Sequence, residues 1–102
     1  MDRMQFFNHI NGITYPNMLV DFFDHFVALQ QLIKTNSCVV TVTNVGENNS
    51  GIEFIVQFKT ANLLQRTLND ISLNGTTIVI YNRTMTIHVD VLTETDLKIK
   101  LY

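Results

Sequence analysis

The sequence predicts an α+β sandwich, an antiparallel sheet covered on one face by two helices. Three observations carry this. Several short stretches alternate apolar and polar residues with a period of two, as strands buried on one face do. Two longer stretches repeat apolar residues at spacings of three and four, as helices lying on a core do. The stretches follow one another as β-α-β-β-α-β with additions at the end. Composition allows it: 102 residues, 46% hydrophobic and 16% charged, suffice for one core, and residues 1–102 read as a single domain, whole or cut from a longer chain.

Gln5–Ile10 carries Phe6, Phe7 and Ile10 before Asn11-Gly12, which predicts a first strand ending in a turn. Pro16 suits the first turn of a helix, and the helix is expected to run to Lys34. Leu19, Phe22, Phe23, Phe26 and Ile33 share one face of it. Met18, Val27, Leu29 and Leu32 widen the apolar arc to roughly 200°, well beyond the ~100° stripe a surface helix needs. Thr35-Asn36-Ser37 ends the helix. Cys38–Val45 is a β-branched strand, and the turn-rich Gly46–Gly51 leads into its hairpin partner, Ile52–Lys59. There Phe54, Val56 and Phe58 alternate inward against Glu53, Ile55 and Gln57.

Thr60 can cap a second helix from Ala61 to about Ile71, with Leu64, Leu68 and Ile71 facing in. Asn74-Gly75 breaks it. Thr76–Tyr81 and Thr84–Leu92 form a hairpin around Asn82-Arg83, with Met85, Ile87, Val89 and Val91 inward on the second arm. Leu97, Ile99 and Leu101 alternate with Lys98, Lys100 and Tyr102, so residues 93–102 read as a C-terminal extension or one last edge strand. Repeats, linkers and low-complexity segments are not apparent.

The element order is that of a ferredoxin-like fold. Within it the chain resembles the RNA recognition motif (RRM) family from Gln5 to Val91. Gln5-Phe6-Phe7-Asn8-His9-Ile10 is similar to that family's first-strand motif, and Leu19 to Phe26 to its first helix with Phe-x-x-Phe spacing. Val56-Gln57-Phe58 resembles the end of its central-strand motif. Leu73-Asn74-Gly75 and Ile80 to Ile87 resemble its later Leu-Asn-Gly and Ile-x-Gly-Arg-x-Leu-x-Val stretches. The resemblance implies RNA bound by stacking on outer-face aromatics of the first and third strands. Glu53 and Ile55 stand at the stacking positions of the third strand instead, Gly51 stands where a basic residue usually begins the motif, and only Phe6 remains as a ring. A register slipped by one would expose Ile52 and Phe54 but bury Glu53 and Gln57, at several kcal/mol unless partners exist. A peptide-binding subgroup of the family uses Arg-x-Phe after the second helix; here that stretch is Thr76-Thr77-Ile78.

Seven Lys+Arg against nine Asp+Glu give a net charge of −2, which disfavours binding held mainly by phosphate contacts. The single Cys38 cannot staple a secreted domain and reads as a small buried hydrophobe; with no signal-peptide pattern at the start, the expectation is an intracellular protein, cytoplasmic or nuclear. Asn48-Asn49-Ser50, Asn74-Gly75-Thr76 and Asn82-Arg83-Thr84 fit the glycosylation pattern but read as turn chemistry. No run approaches the ~20 apolar residues of a membrane helix. His9, His25 and His88 sit on separate elements without a second ligand at metal spacing, Ser37, Ser50 and Ser72 belong to turns or caps, and four glycines build no phosphate cradle. Neither an enzyme, a cofactor nor a metal site is expected.

The leading expectation is a non-enzymatic, RRM-like protein–protein interaction or dimerisation module, a scaffold in an RNA-handling ribonucleoprotein complex. Its interface is expected on the first helix at Met18, Val27, Leu29 and Leu32, against a protein partner or a second copy. The rival is a weak single-stranded RNA binder using Phe6, Ile55, Lys59, Arg83, Lys98 and Lys100. A third reading, compatible with the Asn- and Thr-rich, Lys-poor composition, is a small viral or phage-like regulatory protein whose RRM-like order is coincidental.

Overall fold

The computed structural model describes residues 16–80 and 82–102. Helix α1 (Asn17–His25) and helix α2 (Val27–Lys34) precede strands β1 (Cys38–Val45) and β2 (Ile52–Phe58), which are joined through a 3-10 turn at Glu47–Asn49. Helix α3 (Ala61–Asp70) follows, and then β3 (Thr77–Ile80), β4 (Arg83–Val91) and β5 (Asp96–Leu101). The strands form one five-stranded sheet in the order β1-β2-β5-β4-β3. Every neighbouring pair is antiparallel. The three helices pack on one face, α1 over β3, α2 over β1 and α3 over β2. The α+β class is therefore as expected. The expected first strand at Gln5–Ile10, and with it Phe6 and His9, lies outside the described residues.

The single helix expected from Pro16 to Lys34 is two helices. Phe26, at φ −131° and ψ 77°, breaks it; its N–H closes α1 on the Phe23 carbonyl, and its own carbonyl accepts the Gln30 N–H that opens α2. A straight helix can press only one stripe onto a flat sheet. The break lets each piece turn its own stripe inward, and this absorbs the over-wide arc. Met18 and Leu29, expected outside, are 3% and 1% exposed, and Leu32 is partly buried against the core. Of the four residues assigned to an interface, only Val27 stands well out, at 58%.

Asn36 ends α2 in the left-handed region (φ 58°). Ser37 N–H reaches back to Leu32 O and Asn36 N–H to Ile33 O, the paired bonds of a Schellman cap. Thr60 caps α3 as expected, its hydroxyl oxygen accepting Leu63 N–H at 3.2 Å. The core joins Phe22, Phe23 and Phe54, with ring centroids 5.3 to 6.0 Å apart, to the inner faces of all five strands. Burying each such ring contributes about 1.5–3 kcal/mol.

The last strand is not an edge. β5 lies between β2 and β4, and Leu97, Ile99 and Leu101 are fully buried. Both sides of its backbone are paired, so residues 93–102 are built into the sheet rather than appended to it. This also explains Gly51: a Cβ there would stand 2.6 Å from the Leu101 carbonyl oxygen. No helix among the described residues is long and apolar enough to cross a membrane.

Candidate interaction surfaces

The two borders of the sheet are treated very differently. Lys59 N–H donates to Ser37 O at 2.9 Å, in register with the β1–β2 pairing of Cys38 with Phe58 and Val39 with Gln57. Bonded and non-bonded pairs alternate along an antiparallel ladder. Val39 and Thr41 therefore bond to β2, while the backbone N–H and C=O groups of Cys38, Val40 and Val42 point out of the sheet. Among the described residues no strand lies beyond β1. The strand is eight residues long and holds no charge and no proline, the devices that usually blunt an edge. A bulge between Val42 and Asn44 is its one irregularity.

The opposite border, β3, has four residues. Ile87 N–H donates to Thr76 O and Gly75 N–H to Ile87 O, both at 2.8 Å, and the same alternation turns the backbone of Thr77 and Val79 outward. The Val79 carbonyl is covered: His25 Nε2 on α1 lies 3.3 Å from it, the donor geometry of the Nε2–H tautomer. This border is short, with one outward carbonyl engaged by a side chain; among the described residues β1 is long and bare.

The sheet face away from the helices carries a polar cluster. Register sets Glu53 beside Lys100 and Lys100 beside His88, and in the next row Ile55 beside Lys98 and Lys98 beside Asp90. The Thr43 hydroxyl lies 2.8 Å from Glu53 Oε2, and Lys98 and Lys100 Nζ stand 3.7 and 3.8 Å from Oε1. The Thr43 hydrogen bond first, and then the two lysines, hold the Glu53 carboxyl below its ordinary range against an opposing desolvation. Tyr102, 63% exposed, stacks on His88 with ring centroids 4.1 Å apart and planes 13° apart.

On the helical side a groove of about 190 Å³ runs between α2 and α3. Ala28, Leu32, Leu63 and Ile71 line it, with Arg66 and Asp70 among the polar residues. Leu32 thus faces α3 rather than an outer surface.

The residues assigned to RNA contact are only partly brought together. Ile55, Lys98 and Lys100 are neighbours on the face away from the helices. Lys59 follows the end of β2, near Thr95. Arg83 falls beyond the other end of β5 and alternates in phase with the buried Met85 and Ile87, on the helix-bearing side. Tyr102 and the Glu53 cluster were not assigned from sequence. The alternation of Lys98, Lys100 and Tyr102 was visible, but their company depends on β5 being central. Cys38 is buried, and burial pushes its thiol up to about 12, so it is no nucleophile at neutral pH. Among the described residues no group of three or more His, Cys, Asp or Glu could hold a metal ion. Comparison with protein-family models, curated proteins and solved structures found no match.

Proposed function

We propose that this protein is a non-enzymatic interaction module that assembles with protein partners by strand pairing along β1. One observation carries the reading: an eight-residue, uncharged border strand whose outward backbone groups meet no strand among the described residues. Unpaired N–H and C=O groups in a row favour an added strand, whose main-chain bonds give affinity while alternate side chains give selectivity. This moves the interface away from Met18 and Leu29, which the core uses.

The ferredoxin-like, RRM-like relationship belongs to the same proposal. The single helical layer and the β1–β2 hairpin followed by α3 support it. The uniformly antiparallel pairing and the order β1-β2-β5-β4-β3 depart from a split β-α-β unit. A scaffold in an RNA-handling complex is the setting this relationship would give.

The test is an NMR titration with a Lys-flanked peptide of alternating Val and Thr. Shifts concentrated at the Cys38, Val40 and Val42 amides are expected. Shifts confined to the α2–α3 groove, or none at a concentration where the chain is a monomer, would overturn strand pairing.

A second reading, single-stranded RNA on the face away from the helices, draws on one observation: an exposed Tyr102 ring beside Lys100 and Lys98. Stacking on such a ring contributes about 1–3 kcal/mol per base. Glu53 already engages both lysines, so binding would be weak. Loss of binding in Tyr102→Ala, together with a steep salt dependence, would establish it.

A further inference from the structure

Strand pairing along β1 leaves open what strand is added, and on that reading we infer that the occupant is a second copy of this chain. Two β1 strands would meet antiparallel about a two-fold axis at Val40, making one ten-stranded sheet.

The pattern of outward groups fits this symmetry. With the axis at Val40, each Val40 faces the other Val40, and Cys38 faces Val42 on either side. These are the residues whose N–H and C=O groups point outward, so each facing pair exchanges two backbone bonds. On the face away from the helices, Val39 then comes opposite Thr41 of the other copy. Both are β-branched and exposed, Val39 by 56%. Within the paired strands like charges cannot meet, because Cys38–Val45 holds none. A self-complementary patch is what a two-fold contact requires.

The geometry also permits closure. A two-fold axis perpendicular to the sheet leaves both helical layers on the same side, with α2 of each copy, which packs over β1, next to the seam. The bulge between Val42 and Asn44 falls just outside the paired segment and limits its length. At the other border, β3 is short and His25 occupies the Val79 carbonyl, so the pairing stops at two copies instead of running on into a filament. A contact of one strand edge lies at the small end of interfaces, so assembly should depend on concentration.

The experiment is sedimentation equilibrium of the whole chain from low micromolar to millimolar concentration, with Val39→Lys and Val79→Lys as variants. Val39 and Val79 are equally exposed, on opposite borders. The mass should rise from 11.7 kDa toward twice that value in the wild type and in Val79→Lys, and stay at the single-chain value in Val39→Lys. If Val39→Lys loses its far-UV circular dichroism, Thr41→Lys replaces it. A wild type that stays at the single-chain mass throughout overturns self-pairing. So does a dimer that survives the β1 lysine or is dissolved by the β3 lysine. If the chain stays single but the Val/Thr peptide still shifts Cys38, Val40 and Val42, self-pairing fails and the strand-pairing surface stands. If the peptide fails as well, both fall.

Discussion

Leu29 separates the two roles proposed for the first helical segment, and replacing it gives a calculable result. The side chain is 1% exposed and belongs to the core that α2 lays on β1. Leu29→Ala removes three carbons, worth about 0.8 kcal/mol each, or about 2.4 kcal/mol in transfer alone. Incomplete collapse of the cavity raises the cost to about 3–4 kcal/mol. With a urea m-value on the order of 1–2 kcal/mol per molar, the unfolding midpoint should fall by about 1.5–4 M with no change in m. Leu29→Glu places an unpaired carboxylate at the same point, and should leave the chain unfolded, given a total stability of about 5–15 kcal/mol. Val27→Ala is the control: at 58% exposure it should change stability by about 0.5 kcal/mol or less. The assay is urea denaturation followed by circular dichroism. A Leu29→Ala midpoint no lower than that of Val27→Ala, or a stably folded Leu29→Glu, would refute the placement of Leu29 in the core and return it to the surface.

Three further outcomes follow from the same geometry. Gly51→Ala brings a Cβ against the Leu101 carbonyl in the central strand, and should cost about 1–3 kcal/mol in the same denaturation assay. Glu53 has a folded-state pKa below its ordinary 4.5, so its contribution is fully present above that value and is lost as pH falls through the lower, folded pKa. The stability difference between wild type and Glu53→Gln should therefore be constant from neutral pH to about 5 and shrink below it, read from urea midpoints across pH. Cys38, with its thiol pushed up to about 12, should not react with a thiol reagent at neutral pH while the chain is folded, and should react fully in denaturant; rapid native-state labelling would contradict its burial.

Local chemistry made much of this fold legible. β1 has the bounds its β-branched residues predict, β2 ends within one residue of expectation, and α3 starts at the Thr60 cap and ends one residue early. The signals there are near in sequence: alternation, a capping hydroxyl, and Asn at left-handed positions such as Asn36 and Asn82. The break at Phe26 was not legible, because Asp24-His25-Phe26-Val27 contains neither glycine nor proline. It is set by the sheet beneath, which can receive two short stripes but not one wide arc. The place of β5 was hidden for a related reason: Leu97, Ile99 and Leu101 show which face is buried but not which strands lie on either side. Its centrality brings Lys98 and Lys100 to Glu53 and explains a glycine where the family resemblance led to a basic residue. Met18 and Leu29 were surplus only if α1 and α2 were one rod; with the break between them, both side chains go into the core.

Amide hydrogen exchange along β1, measured at low and high protein concentration, tests the central claim most directly. Val39 and Thr41, bonded to β2, should be protected at both. Cys38, Val40 and Val42 should exchange quickly in dilute solution and slow as concentration rises, so that the alternation of a bare edge gives way to protection of all five residues once a strand is added. Uniform protection of all five at every concentration would mean that the edge is already covered within the chain. Fast exchange of the outward three at every concentration would mean that no second copy pairs with it.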